Sequence, residues 1–159
     1  MKDLRSSGRG HLQGFIEAME KTIQDEKRRY TRIIFNERNR MQAIIALPGQ
    51  QDPARQMSAS VLNMSEGGIQ ASIERKKFQD VQQGGTVLLS RIAEVQDLEA
   101  LSDVPMQLIW ILDNEYLKQV LLGMFFSTLS EGQRVCLRSF VTNRLALAVD
   151  RGEGEAIRS

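Results

Sequence analysis

A short basic stretch, residues 27–32, holds the side chains best suited to bind an anionic ligand. It reads Lys-Arg-Arg-Tyr-Thr-Arg, so four cations and one aromatic ring fall within six residues. Arg28 and Arg32 are four positions apart, and a loop can bring their guanidinium planes to one point. Each plane can stack on a ring, bind a phosphate or pair with a guanine edge. Alone, such a pair is more typical of a solvent-exposed run of charged residues. A ligand site therefore needs the support of other motifs in the chain.

A second polar cluster lies about thirty residues downstream, in the stretch Asn63-Met64-Ser65-Glu66-Gly67-Gly68. Asn63 offers an amide donor and acceptor, and Ser65 offers a hydroxyl. Gly67 and Gly68 allow the backbone to turn sharply and to approach a ligand closely. By itself this pattern indicates a tight hairpin between two strands.

The composition of the whole chain is that of an ordinary globular protein. It has 159 residues, of which 42% are hydrophobic and 26% charged, and its net charge is +1. This length predicts one domain with appendages, and the small net charge requires any basic site to be local. Cys136 is the single cysteine, which excludes an internal disulfide and a multi-cysteine zinc site. The N-terminus lacks an apolar signal region and no apolar run is long enough to cross a bilayer, so we expect a cytoplasmic protein.

Hydrophobic periodicity predicts a helix, a series of short strands and a second helix. Leu12, Phe15, Ile16, Met19 and Ile23 mark one face of an amphipathic helix over residues 12–25. Ser130, with Gln133 three residues later, predicts a capped C-terminal helix. Its apolar face would comprise Val135, Leu137, Phe140, Val141, Leu145, Ala148 and Val149. Between the helices, strands are predicted near residues 33–35, 41–47, 57–64, 69–73, 86–92, 106–112 and 116–126, with a loop or short helical turn at 96–103. Many short strands indicate an antiparallel sandwich or a small barrel.

The two polar clusters together resemble the two-part signature of PilZ domains. Arg28-x-x-x-Arg32 followed by Asn63-x-Ser65-x-x-Gly68 has the order, gap and strand context of that family. The resemblance extends over about residues 28–147 and includes the strands near Trp110 and Gly123, whose glycine indicates a bulge or a close backbone approach. It departs mildly from the family: Asn63 stands where aspartate also occurs, and neither the leading helix nor the 96–104 insert is part of the core pattern.

The resemblance implies a mainly β protein with a six-stranded antiparallel barrel, flanked here by the N-terminal amphipathic helix and the C-terminal helix. The implied organisation is an arm and helix over 1–27, the barrel and its helix over 28–150, and a polar tail over 151–159. It implies a receptor for cyclic di-GMP. The residues themselves show no catalytic set, since Ser65 has no His and Asp partners, so we expect no enzymatic activity, metal or further cofactor. The ligand-binding residues would be Arg28, Arg29, Arg32, Asn63, Ser65, Gly67 and Gly68.

Two other functions fit parts of the sequence. A small barrel could bind single-stranded nucleic acid through Lys27, Arg28, Arg29, Arg32, Arg38 and Arg40, but only 6% of residues are aromatic and a stacking platform is missing. A PilZ-like adaptor could contact proteins without a nucleotide, but both motifs are intact. For the receptor we expect a protein partner of unknown identity. Ligand binding is expected to order the arginine segment and to displace or reorient the 12–25 helix.

Overall fold

The computed structural model describes residues 30–37, 39–49, 52–78 and 81–150. The predicted helix at 12–25, the residues Arg28 and Arg29, and the tail at 151–159 lie outside this part of the chain. Within it, the strands are β1 (Arg32–Ile34), β2 (Met41–Ala46), β3 (Met57–Ser65), β4 (Gly68–Glu74), β5 (Thr86–Ala93), β6 (Val104–Leu112) and β7 (Gln119–Phe126).

Six of these strands close into an antiparallel barrel. Their order around it is β3-β2-β5-β6-β7-β4, and β4 pairs back with β3. The short strand β1 pairs with the end of β3, with Arg32 opposite Ser65 and Ile34 opposite Asn63. The beginning of β3 pairs with β2 instead. Of the two architectures left open by the strand pattern, the sandwich is therefore wrong and the small barrel is confirmed.

The barrel is held together by apolar side chains that alternate along each strand. Ile69, Ala71 and Ile73 of β4 are at most 2% exposed, as the predicted single face requires. Every other strand contributes in the same way, so that one continuous core fills the interior. Burial of this much apolar surface is the main favourable term in folding.

The C-terminal helix α1 (Glu131–Asp150) packs on this barrel and begins at the predicted cap. The amide of Gln133 donates to Ser130 Oγ at 3.2 Å, and the amide of Ser130 donates to Gln133 Oε1 at 2.9 Å. These reciprocal bonds form the capping box that the sequence predicted. The buried face consists of Leu137, Phe140 and Val141. The predicted face was too wide, because Val135 and Val149 are exposed.

The short helical turn expected as one of two forms of the 96–103 segment is confirmed, whereas the predicted start of the last strand is wrong. The polar segment at 96–103 contains a 3-10 turn, Gln96–Leu98, and it anchors Leu98 and Leu101 in the core. The last strand was predicted from Tyr116 but begins at Gln119. Asn114 extends the preceding turn, because its side-chain oxygen accepts from the amide of Tyr116 and its carbonyl accepts from the amide of Leu117, both at 2.9 Å.

Candidate functional site

A row of directly opposed residues crosses four strands on the outer face of the barrel. Trp110 of β6 lies opposite Gly123 of β7, and Gly123 lies opposite Gln70 of β4. Gln70 in turn lies opposite Asn63 of β3. Opposed residues in adjacent strands point to the same face of a sheet. The row therefore places an indole, a glycine without a side chain and two side-chain amides in neighbouring positions.

Two β-bulges turn the outer members of this row away from the core. On β3, the residues Met57, Ala59 and Val61 point inward, and the pairing with β4 shifts between Val61 and Asn63. The extra residue reverses the alternation, so Asn63 points outward and Met64 inward.

The second bulge acts in the same way on β6. Val104, Met106 and Leu108 are fully buried, and the pairing with β7 shifts between Leu108 and Trp110. Strict alternation would have sent Trp110 into the core, but the bulge turns it outward. The sequence predicted a bulge or a close approach at Gly123. The close approach is at Gly123, whereas the bulge lies on the neighbouring strand.

Arg32 lies next to this row, on the short strand β1 that pairs with the end of β3. It is the first residue of β1, directly opposite Ser65, and it is half-buried. The sequence placed Arg32 in a loop before the first strand, and that placement is wrong. The strand begins one residue earlier than predicted, because Arg32 joins the β1–β3 ladder that Ile33 and Ile34 continue.

Four of the predicted site residues line one surface pocket of about 250 Å³. They are Arg32, Asn63, Ser65 and Gly68, which come from two sequence segments about thirty residues apart. The remaining lining residues are Ile69, Gln70, Ile109, Trp110, Gly123 and Met124. The lining carries one cation and no carboxylate. It is therefore suited to a ligand with negative charge and flat apolar surface.

The three glycines around the pocket are required by close approaches within the protein. A Cβ on Gly123 would lie 2.1 Å from Trp110 Nε1, so the indole lies directly over this residue. A Cβ on Gly68 would lie 2.1 Å from the carbonyl oxygen of Met124. Gly67 does not line the pocket; a Cβ there would lie 2.8 Å from Cδ2 of Tyr30. The aromatic residue of the basic stretch thus packs against the hairpin turn.

Hydrogen bonds fix the polar residues of the site. Asn63 Nδ2 donates to Gln70 Oε1 at 2.6 Å, and the amide of Gly67 donates to Ser65 Oγ at 3.2 Å. Glu66, at the turn, accepts from Arg138 Nε of α1 at 3.3 Å. This ion pair partly neutralises the carboxylate at the hairpin turn.

In the described part of the chain, no group of three or more His, Cys, Asp or Glu side chains could hold a metal ion. Cys136 is half-buried, and its thiol donates to the carbonyl oxygen of Asp97 at 2.9 Å. Burial raises the pKa of the Cys136 thiol, which disfavours the nucleophilic thiolate. Among the described residues, no helix is long and apolar enough to cross a membrane.

The sequence did not identify Gln70 as a site residue, and Trp110 served only to locate a strand of the family pattern. A usable signal for Gln70 was present. It is a polar residue between the apolar residues Ile69 and Ala71. Because side chains alternate along a strand, it must point to the face opposite the one that Ile69 and Ala71 bury. For Trp110 the alternation of its strand was misleading, because the bulge that turns it outward has no local sequence signal.

Comparison with known proteins identifies relatives of this fold. The family model for the PilZ domain matches residues 26–143. The PilZ domain of YcgR from Escherichia coli, solved with c-di-GMP, superimposes with a TM-score of 0.58 at 19% identity, covering 79% of this chain and 96% of that one. The K. pneumonia MrkH–c-di-GMP complex gives a TM-score of 0.56 at 11% identity, covering 78% of this chain and 53% of that one.

A third solved structure, the Bacillus subtilis inhibitor of motility MotI/DgrA, gives a TM-score of 0.54 at 16% identity. The alignment covers 74% of this chain and 50% of that one. The present chain therefore spans about half the length of MrkH and MotI. A search of curated protein sequences found no match.

Proposed function

The chain belongs to the PilZ domain family, and from that premise we propose that it is a non-catalytic receptor for cyclic di-GMP. One observation carries the proposal: Arg32, from the first motif, and Asn63, Ser65 and Gly68, from the second, line the same pocket. The structural relatives solved with c-di-GMP agree with it.

The chemistry of the pocket suits this ligand. Cyclic di-GMP carries two phosphate charges and two guanines, and the guanidinium of Arg32 can bind either a phosphate or guanine O6 and N7. The indole of Trp110 offers a flat apolar surface for a base, beside the polar floor made by Asn63 and Gln70. The site residues bind and orient a ligand, and we assign no reaction to them.

The size of the pocket supports a site completed by a further segment. Small-molecule sites usually enclose about 300–1,000 Å³ and bury most of the ligand, whereas this pocket is a shallow surface depression with little enclosed space. We propose that Arg28 and Arg29 supply the missing wall, with their guanidinium groups on the phosphates and guanine edges. Ligand binding would order the residues before Tyr30. Tyr30 itself already packs on Gly67, so it serves as the hinge end of that segment.

We further propose that this ordering transmits the signal to a protein partner. Only a few residues separate Arg28 from the predicted 12–25 helix, so an ordered arginine segment constrains where that helix lies. Hydrogen exchange, with and without cyclic di-GMP, tests this step. Exchange across residues 24–29 should slow on binding, while β1 residues stay as they were. Equal protection of residues 24–29 in both states, with binding intact, would refute ordering and leave the receptor assignment standing.

Titration calorimetry with cyclic di-GMP tests the receptor assignment itself. Wild-type protein should bind, and Arg28→Ala and Arg32→Ala should each weaken binding by at least about tenfold without unfolding the protein. Arg91→Ala is the matched control, because Arg91 is an exposed arginine of β5 outside the pocket lining. A single-stranded oligonucleotide should not compete. Wild-type protein that fails to bind cyclic di-GMP would refute the function.

A further inference from the structure

The side chain of Gln70 is buried but incompletely hydrogen-bonded. Gln70 is 9% exposed, and its Nε2 is the single buried side-chain nitrogen or oxygen without a partner in the described part of the chain. A buried amide hydrogen without an acceptor is costly, and native proteins retain few such groups. A buried amide without a partner beside a pocket therefore indicates that a bound molecule supplies the missing acceptor.

The neighbours of Gln70 determine which atom remains available. Asn63 Nδ2 donates to Gln70 Oε1 at 2.6 Å, so the oxygen of Gln70 is already used. If nitrogen and oxygen were exchanged in the side-chain amides of both Asn63 and Gln70, Gln70 would donate to Asn63. The oxygen of Gln70 would then be the atom without a partner. In either arrangement one polar atom of Gln70 needs a partner from outside. In the arrangement observed, Gln70 presents a donor and the adjacent Asn63 keeps its oxygen as an acceptor.

We propose that Gln70 is a specificity-determining residue that donates its free amide hydrogen to guanine O6 of the bound dinucleotide. This inference rests on the proposed function. Gln70 lies opposite Gly123, which is covered by the indole of Trp110, so a base placed against the indole would direct its edge towards Gln70 and Asn63. Guanine presents O6, an acceptor, next to N1–H, a donor, and this matches the amide pair. Adenine presents an amino group in place of O6, and two donors would then face each other.

The surroundings of Gln70 favour a base edge over a phosphate. Beside Gln70 the pocket is lined by the Trp110 indole and by Gly123, and Ile69 and Met124 lie behind them in the barrel core. Moving a phosphate into this apolar surrounding would require desolvating its charge, whereas a neutral base edge needs only its hydrogen bonds satisfied. The cation of the lining, Arg32, lies in the neighbouring row opposite Ser65, where it can hold a phosphate nearer to solvent.

The test compares Gln70→Leu with Gln42→Leu. The two amide atoms of Gln42 already have partners: Nε2 donates to Ser60 Oγ at 3.0 Å, and Oε1 accepts from Ser58 Oγ at 3.1 Å. Affinity for cyclic di-GMP is measured by calorimetry, affinity for cyclic di-AMP by competition, and stability by urea unfolding without ligand. Gln70→Leu should bind cyclic di-GMP about tenfold more weakly. It should bind cyclic di-AMP no more weakly than wild type. Its urea midpoint should change little, because removal of the unpartnered Nε2 offsets loss of the bond from Asn63 Nδ2, a half-buried group that can turn to solvent.

The control should behave in the opposite way, with lower stability and unchanged affinity for cyclic di-GMP. If Gln70→Leu binds cyclic di-GMP as tightly as wild type, or weakens both dinucleotides by the same factor, the contact with guanine O6 is refuted. Either result leaves the receptor function in place, because wild-type protein still binds. Failure of wild-type protein to bind cyclic di-GMP would instead refute the receptor function itself.

Discussion

Neighbouring glycines of the hairpin turn should respond differently to the same substitution. In Gly68→Ala the new Cβ would lie 2.1 Å from the Met124 carbonyl oxygen and 3.1 Å from Phe125 Cα. Both atoms belong to the backbone of β7, which is held on its other side by β6. The strands must therefore separate, and overpacking of this kind costs about 1–3 kcal/mol.

In Gly67→Ala the new Cβ would instead meet a side chain. It would lie 2.8 Å and 3.0 Å from Cδ2 and Cε2 of Tyr30. Tyr30 is 40% exposed, so its ring can rotate towards solvent. The loss of this contact is offset by the roughly 0.4–1 kcal/mol that Gly→Ala contributes by restricting the unfolded chain. We therefore expect a change in stability of no more than about 0.5 kcal/mol.

The effects on ligand binding follow from the same contacts. Tyr30 lies between Arg28 and Arg32, so displacing its ring detaches the arginine segment from the hairpin. Gly67→Ala should weaken cyclic di-GMP binding about three- to tenfold, roughly 1 kcal/mol. In a Tyr30→Ala background the same substitution should have little effect, because the ring it displaces is gone.

Urea unfolding, followed through the single tryptophan Trp110, measures the stability of both variants. Restriction of the unfolded chain by the new alanine stabilises this variant as well and offsets part of the overpacking cost. Gly68→Ala should therefore remain destabilised by about 1–2 kcal/mol. That corresponds to a decrease in melting temperature of roughly 3–8 °C. Equal stability of the two alanine variants would refute the distinction between backbone and side-chain contacts, as would unchanged binding by Gly67→Ala in the wild-type background.

Three further outcomes are expected from the same structure. Ser65→Ala should weaken cyclic di-GMP binding by one hydrogen bond, about 0.5–1.5 kcal/mol in calorimetry, and wild-type affinity would place the ligand elsewhere. Cyclic di-GMP should change the fluorescence of Trp110, and Arg32→Ala should abolish this change at the same ligand concentration; an unaltered spectrum at saturation would exclude Trp110 from the site. Ser130→Ala removes one half of the capping box and should lower the free energy of unfolding by about 1 kcal/mol, with ligand affinity unchanged. A reduced affinity in that variant would mean that the start of α1 contributes to the site.

Local patterns explain how much of the fold was predictable. The alternation of Ile69, Ala71 and Ile73 fixes which face of β4 is buried, and glycine and proline mark where the strands end. The cap of α1 was predictable to the residue, because Ser130 and Gln133 satisfy each other's amides within one turn. Closure of the barrel was not predictable from alternation. It depends on β4 pairing with both β3 and β7, which are far apart in the chain.

The site was predictable where its chemistry lies in short motifs, and not where it depends on pairing between strands. Asn63 and Ser65 carry recognisable polar groups, but their common orientation requires an extra residue in β3. Counting alternate residues from Met57 would place Asn63 in the core. The same counting from Val104 would bury Trp110. One inserted residue in each strand reverses the alternation, so residues that would have faced the core line the ligand surface instead.

This arrangement also explains why a polar floor can exist on a small barrel. The two bulges lie on β3 and β6, which are separated by β4 and β7 in the strand order around the site. Between them, Gln70 and Gly123 need no bulge, because their strands alternate regularly. The side chains turned outward at both ends thus flank the Gln70 amide and a glycine that the Trp110 indole covers. The indole of Trp110 covers that glycine, so a base placed against the indole meets the one buried amide in the described chain that lacks a partner.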